Sequence, residues 1–487
     1  MFFRQLYDQA LAQASYVIGC QATGEAIVVD PLRDPAPYLA VARAEGLRIT
    51  HVTETHIHAD FVSGARALCA ATGARLHLSA EGGPHWQYAF AAHDNAVLLH
   101  DGDRIMVGNI AFDVMHTPGH TPEHLSFVVT DTPRAAGPMG ILTGDFVFVG
   151  DVGRPDLLER AAGIADTMEA GARTLFHSLQ RFRALPDHLQ VWPGHGAGSA
   201  CGKALGAVPS STVGYEKRSN WGVAETDEDR FVAVVLDGQP EPPRYFAAMK
   251  RINRDGPAVL SAPPQPVRLS AAAVLEPFHD ERWLVDVRSA AQFVEAHVGG
   301  SVSVPLGKSF STWVGSIIPV ADEIVLIANA APDASGDGGA ELVGRAARDL
   351  SRIGYDRIIG WVDAPEALDA WQRAGHALRP IPQAAACDLA APDALLGATL
   401  VDVRGKTEWD AGHVAGARHI PLGDLRQRVA EIPTGRLFVH CQSGARSAVA
   451  TSLLHRLGRT DAVNVGGGYV ALVKEGLGGG TSRITAK

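Results

Sequence analysis

Cysteine is scarce in this chain: 487 residues hold only 5, an odd number that suits a reducing cytosol with free thiols better than a disulfide-stapled secreted fold. The expected location is therefore cytoplasmic. Long apolar runs are missing as well, and without a stretch of about 18 apolar residues no membrane span is expected. Basic excess is missing too. Lys and Arg number 43 against 53 Asp and Glu, a formal charge of −10 with no basic cluster, which argues against nucleic acid as a partner. The opening MFFRQLYDQALAQAS carries Asp8 and no compact apolar core, so it does not read as a secretory signal, and no transit peptide is evident. What is present is length, enough for about three domains with a core each.

Of the five cysteines, Cys441 has a setting suited to chemistry. It opens the run HCQSGARS between a strand-like segment (436–439) and an apolar helical pattern (447–457). In a strand–loop–helix turn the backbone N–H groups of Gln442, Ser443, Gly444, Ala445, Arg446 and Ser447 can converge on the sulfur, and the helix N-terminus adds partial positive charge. Arg446 adds a full charge. Such a cradle favours the thiolate, the reactive form of cysteine, and holds an anionic adduct. Cys441 to Arg446 is C-x4-R, one residue short of the C-x5-R ring that cysteine phosphatases close around phosphate, so a single sulfane sulfur fits better.

The last hundred residues resemble the rhodanese sulfurtransferases. Asp402-Val-Arg404, the run GHVAGARHIPL from Gly412 and the loop CQSGARS fall in that family's order. The resemblance implies that Cys441 carries a persulfide during turnover. The stretch before it is an imperfect copy: Leu284-Val-Asp-Val-Arg288, His297 and Pro305 match Leu400-Val-Asp-Val-Arg404, His413 and Pro421 at a constant offset of 116, as an internal duplication predicts. Where the second copy has LFVHCQSGARS, the first has VLIANAAPDASGDGG from Val325, and no cysteine lies between Cys201 and Cys387. The first copy cannot use thiolate chemistry. A spacer, a docking surface or an oligomer contact are the roles left to it, which keeps a homo-oligomer open.

Metal-type chemistry is written in the first half. Thr55-His56-Ile57-His58-Ala59-Asp60 follows a strand-like segment (48–52) and precedes a helical pattern (62–71), and it recurs with Thr117-Pro-Gly-His120, Thr143-Gly-Asp145 and Pro193-Gly-His195. Imidazoles and carboxylates at several strand ends, each announced by Gly or Pro, can converge on one ion. The set resembles the metallo-β-lactamase superfamily, an αββα sandwich whose dinuclear members use HxHxDH. Here Phe61 follows Asp60, so a ligand of the usual second metal is missing. One metal is expected, and two histidines with one carboxylate and open positions is the arrangement of Fe(II) oxygenases.

Further runs, Thr121-Pro-Glu-His124, Gly150-Asp-Val-Gly-Arg-Pro-Asp156 and the segment from Gly194 to Lys203, resemble the persulfide dioxygenase branch of that superfamily. The resemblance implies one Fe(2+) per chain on His56, His120 and Asp145, with O2 as cosubstrate. His58, Asp60 and His195 would be left over from the dinuclear pattern as supporting or proton-handling groups. Arg154 is a candidate for the substrate's anionic group, since guanidinium binds carboxylate and phosphate bidentately; the alternative is an ion pair. Cys201, beyond His195, could touch the pocket and Cys20 could approach it, or either could be structural. Cys69, on the apolar face of a helix, reads as core.

The expected architecture is multidomain α/β: a metallo-β-lactamase-like αββα sandwich over residues 1–255, an inactive rhodanese-like domain over 268–378 and a rhodanese domain over 388–480, the last two small parallel-sheet α/β folds. The final GLGGGTSRITAK reads as a tail. Together these imply oxidation of a low-molecular-weight persulfide to sulfite, coupled to sulfane transfer that gives or uses thiosulfate. Glutathione, coenzyme A or a smaller thiol would serve as carrier, and fusion would raise the concentration of one site's product at the other. Two rivals stand beside this reading: a dinuclear-zinc thioester hydrolase of the hydroxyacylglutathione hydrolase type with a rhodanese appendage, and a non-oxidative sulfur relay.

Overall fold

Gln13–Cys20 is buried at all eight positions, and its alternate residues face two different cores. Tyr16 and Ile18 point into one cluster with Phe112, Phe127 and Trp192, while Val17 points into another with Val28, Val52 and Leu68. A strand covered on both faces reads as a nearly continuous apolar run, which is what SYVIG is. The computed structural model describes residues 1–160, 167–276, 281–331, 338–378, 380–391 and 394–480. The chain divides into two units, Met1–Pro263 with Arg352–Gly354, and Pro264–Ser351 with Tyr355–Lys487.

The first unit holds two six-stranded sheets. One runs in spatial order Phe2–Asp8, Gln13–Cys20, Glu25–Val29, Arg48–Thr53, Arg75–Ser79, Val97–Leu99; the other runs Ser211–Thr212, Gln190–Pro193, Gly140–Gly144, Leu125–Asp131, Ile110–His116, Arg104–Val107. The Tyr16 cluster fills the space between them. Helices Ala36–Ala44 and Ala65–Thr72 cover the first sheet, while Met168–Arg183 and Glu228–Leu236 cover the second. In Met168–Arg183, Ala172, Leu175, Leu179 and Phe182 recur at helical spacing on the buried face, so truncating Leu179 to Ala would cost about 2–5 kcal/mol. This is the αββα sandwich expected. The helix after the HIHAD run begins at Ala65 rather than near 62, because Ser63 N is held by Asn253 Oδ1 at 2.9 Å and Gly64 passes too close to Leu32 O for a side chain.

The second unit carries two parallel sheets. The four-stranded one is ordered Val302–Ser303, Arg282–Asp286, Glu323–Ala328, Ile358–Asp363; the five-stranded one is ordered Arg418–His419, Thr399–Asp402, Leu437–His440, Ala462–Val465, Gln383–Ala384. Gly478–Gly480 pairs with His413–Val414, so part of the expected tail is strand, and residues 481–487 lie outside the described set. So does the middle of VLIANAAPDASGDGG, residues 332–337. No helix among the described residues is long and apolar enough to cross a membrane.

Candidate metal centre and thiol loop

Strand ends deliver the candidate ligands: Arg48–Thr53 runs on to His56, Ile110–His116 to His120, Gly140–Gly144 to Asp145 and Gln190–Pro193 to His195. All four side chains are buried. Nε2 of His56 and of His120 stand 4.0 and 3.6 Å from Asp145 Oδ2. The ligand atoms of these three residues lie within 4.8 Å of one another, and a second group of the same spread joins Asp60, His195 and Cys201. His195 Nε2 links the two, 3.3 Å from Asp60 Oδ2 and 3.5 Å from Asp145 Oδ1.

Hydrogen bonds set which imidazole nitrogen faces inward. Thr55 Oγ1 donates to Asp30 Oδ2 at 2.9 Å and therefore accepts from His56 Nδ1, also at 2.9 Å, leaving Nε2 with a free lone pair. His120 Nδ1 donates to Arg154 O at 2.9 Å and His195 Nδ1 to Ala12 O at 3.1 Å, with the same result. Burial, reinforced by the neighbouring imidazoles, holds His56 well below its usual pKa, in the neutral form a ligand needs. Both Asp145 oxygens, Asp60 Oδ2 and His195 Nε2 are buried without a hydrogen-bond partner. Leaving such groups unsatisfied costs about 1–3 kcal/mol each or more, and a bound cation removes that cost. The donor set thus fits a metal ion.

Asp30, which no sequence motif marks, and His124, which the sequence shows only as the end of the run Thr121-Pro-Glu-His124, hold the set in place. Asp30, at the end of Glu25–Val29, accepts from Thr55 N at 2.7 Å, Thr55 Oγ1 at 2.9 Å and His58 Nε2 at 3.1 Å. Burial alone would lower His58, but the Asp30 carboxylate overrides it and pushes the imidazole up to about 9. His58 accordingly belongs to neither ligand group, and Phe61 packs on its ring at 4.4 Å. His124 Nδ1 bonds Thr117 Oγ1 at 2.8 Å while its Nε2 accepts Asp145 N at 3.1 Å, fixing the backbone of the carboxylate ligand. Gly194 is required beside it, since a Cβ there would sit 2.6 Å from Asp145 Oδ1.

Arg154 is not a free anion site. Its side chain is fully buried, Nε and Nη2 each lie 2.7 Å from the Asp156 carboxylate, and Nη1 donates to Ala200 O at 3.1 Å. The ion-pair alternative describes it, and through its carbonyl it orients His120. Cys20 does not approach the centre. Gln13, at the other end of the same strand, bridges His195, and seven residues of strand span about 23 Å. Cys69 packs against the helix-facing core, as expected. Cys201 does meet the centre, and burial together with the Asp145 and Asp60 charges pushes its thiol well above the usual range.

In the second unit Cys441, 1% exposed, directly follows the strand Leu437–His440. Gly444, at φ 99°, turns its N–H onto Cys441 Sγ at 3.2 Å, and the helix Ala445–Arg456 follows at once. Ser443 and Ala445 are exposed, Ser447 Oγ donates to Gly444 O at 3.1 Å, and Gln442 Oε1 accepts from Arg404 Nη1 at 3.0 Å. Arg446 does not point at the sulfur: Nη1 and Nη2 hold Glu408 at 2.7 and 3.2 Å. In the first repeat, Val287 N bonds Ile327 O just as Val403 N bonds His440 O, both at 3.0 Å, so Ala328 stands where Cys441 does.

Comparison with known proteins agrees with this layout. Residues 9–195 match the metallo-β-lactamase superfamily and residues 387–475 the rhodanese-like domain. A crystal structure of a metallo-β-lactamase from Staphylococcus aureus subsp. aureus COL is 41% identical with TM-score 0.66, covering 75% of this chain and 99% of that one. The mitochondrial persulfide dioxygenase of Homo sapiens is 29% identical over 203 residues, 40% of this chain and 68% of that protein. A hydroxyacylglutathione hydrolase of Rhodospirillum rubrum is 32% identical over 180 residues, 37% of this chain and 60% of that protein. The chain belongs to the metallo-β-lactamase superfamily and carries a rhodanese-like domain at its C-terminal end.

Proposed function

We propose that this protein oxidises a low-molecular-weight persulfide with O2 and transfers sulfane sulfur at Cys441. The observation that carries the reading is the convergence of two histidines and one carboxylate, His56, His120 and Asp145, with His58 drawn off to Asp30. These three would hold one Fe(II), which when bound supplies the redox chemistry with O2 that zinc lacks. The overall change balances as RSSH + O2 + H2O → RSH + H2SO3. Thr55, the Arg154 carbonyl and Ala12 keep the imidazole protons on Nδ1, and His124 keeps Asp145 in register.

At the other site the Cys441 thiolate attacks the outer sulfur of a persulfide, the S–S bond breaks, and RS⁻ leaves. Sulfite then takes that sulfur from Cys441, the thiolate re-forms, and thiosulfate departs. Run backwards, the same steps use thiosulfate. The thiol carrier would be glutathione, coenzyme A or a similar small thiol.

One observation favours a second reading. Asp60, His195 and Cys201 converge as ligands of a second ion would, which suits a dinuclear hydrolase. Metal analysis of anaerobically purified protein, with oxygen uptake on glutathione persulfide, separates the two. About one iron per chain and oxygen consumption are expected, with His120→Ala losing both while cyanide-dependent sulfurtransfer continues. Two zinc ions per chain and no oxygen uptake would establish the hydrolase.

A further inference from the structure

The loop that follows Cys441 has one ionisable side chain, Arg446, and that charge is already matched. Its guanidinium grips Glu408 with two parallel bonds of 2.7 and 3.2 Å. Glu408 is held in turn by Gly405 N at 3.1 Å, so the carboxylate is fixed at the start of the helix Lys406–Asp410. The other guanidinium at the loop, Arg404, is buried and spent on Asp402, Gly412 O and Gln442. A sulfur oxyanion at Cys441 therefore meets N–H dipoles and a neutral ion pair, not an open cation. The first repeat gives an internal control. Its run VLIANAAPDASGDGG contains no arginine, and at the offset of 116 it carries Gln292 where Glu408 stands. Gln292 closes the capping box with Ser289. The acid occurs in the copy that has the arginine.

We propose that Glu408 sets the affinity of Cys441 for sulfur oxyanions, holding Arg446 away from thiosulfate so that this dianion binds weakly and leaves readily. This rests on the sulfurtransferase reading of Cys441. The step concerned needs no outside oxidant or reductant: sulfite's lone pair forms the new S–S bond, the Cys441 S–S bond breaks, and two negative charges leave on thiosulfate. With Glu408 in place, Arg446 contributes little net attraction to that dianion. Once freed, it can form a charge-assisted, bidentate contact with the oxyanion. A persulfide carries at most one charge on its sulfur and gains less. Arg446 and Glu408 are 28% and 35% exposed, so the pair can open without unfolding anything.

The test is steady-state thiocyanate formation from cyanide by the full chain, with thiosulfate or glutathione persulfide as donor. Glu408→Gln should lower KM for thiosulfate about tenfold, the size of one charge-assisted contact, and change KM for the persulfide less than about twofold. The gain should vanish in Glu408→Gln with Arg446→Gln, and shrink in high salt. Arg446→Gln alone should barely move KM for thiosulfate, since the wild-type arginine is already neutralised. An unchanged KM in Glu408→Gln, a gain that survives loss of Arg446, or a large rise in Arg446→Gln alone overturns the proposal. Absence of thiocyanate from wild type with both donors overturns the sulfurtransferase reading beneath it.

Discussion

In the first repeat Arg288 grips Asp286 and donates to Ala296 O, and in the second Arg404 grips Asp402 and donates to Gly412 O. His297 stacks on Phe293 and bonds its carbonyl, as His413 does with Trp409. Asp286 pairs with Ser303 and Asp402 with His419 across equivalent parallel strands. The copy that has no thiol keeps all of this. The Asp-Val-Arg run and the histidine after it therefore belong to the scaffold, where they tie a strand end to the loop returning to its neighbour. What the second repeat adds is local: Cys441, the turn at Gly444, and the Arg446–Glu408 pair.

The sharpest way to break that comparison removes the sulfur. Cys441→Ser keeps the size and the loop but lacks the thiolate, so sulfurtransfer to cyanide should fall to background with oxygen uptake unchanged. With persulfide and O2 supplied, the variant should accumulate sulfite where wild type yields thiosulfate. Thiosulfate formation undiminished after correction for the uncatalysed reaction would assign the transfer to another thiol, Cys201 first.

Next in size is the scaffold pair. Asp402→Asn and Asp286→Asn each leave a guanidinium of low exposure without its carboxylate, a loss of about 3–5 kcal/mol by the usual cost of breaking a buried pair. Urea unfolding should show both variants destabilised to a similar extent. A neutral Asp286→Asn beside a damaging Asp402→Asn would return the aspartate to the chemistry of the thiol loop.

Much of this was legible in the sequence because it is local. The two-faced run SYVIG, the HIHAD turn, and a strand–cysteine–glycine–helix order are patterns within a few residues, and the constant offset of 116 exposed the duplication. The offset fails at the third strand, where Ile327 answers His440 three places later than an unbroken offset of 116 would have it, so Ala328 and not Val325 stands where Cys441 does. Roles carried across the chain were not legible. Asp30 acts on His56 through Thr55 from 26 residues away, and nothing in its neighbours marks it. Glu408 neutralises Arg446 from 38 residues away. Arg154 was a different case, because Asp156 two residues on already offered the partner that removes it from substrate binding.

A pH titration sharpens the comparison on a smaller scale. Burial lowers His297 to about 4, below the 6.5 of an exposed imidazole. Between those values the unfolded chain binds the proton and the folded repeat does not, so stability is full above about pH 6.5 and falls as pH drops toward 4, by about 3 kcal/mol in all. His297→Gln should flatten that part of the unfolding profile between pH 6.5 and 4 while leaving pH 7.5 little changed. An unaltered slope would mean that the histidine of the first repeat is not held neutral by its burial.

The smallest effect is expected from restoring the missing atom. Ala328→Cys, made in the Cys441→Ser background, puts a sulfur at the strand end that corresponds to position 441. It should give no cyanide-dependent sulfurtransfer. In the second repeat the residue after the neighbouring strand Ala462–Val465 is Gly466, which has no side chain, and Gly444 N reaches the sulfur. In the first repeat the register pairs Ala328 with Asp363, and Asp363 Oδ1 takes the loop N–H of Ala330 at 2.6 Å. A thiolate at 328 would therefore face a carboxylate instead of an amide donor, and it would be disfavoured rather than cradled. Replacing Asp363 with Gly in the same background should remove the repulsion without supplying the N–H turn, leaving activity at background. Thiocyanate production by either variant would show that the first repeat lost only a sulfur, and that the loop after it is still built to use one.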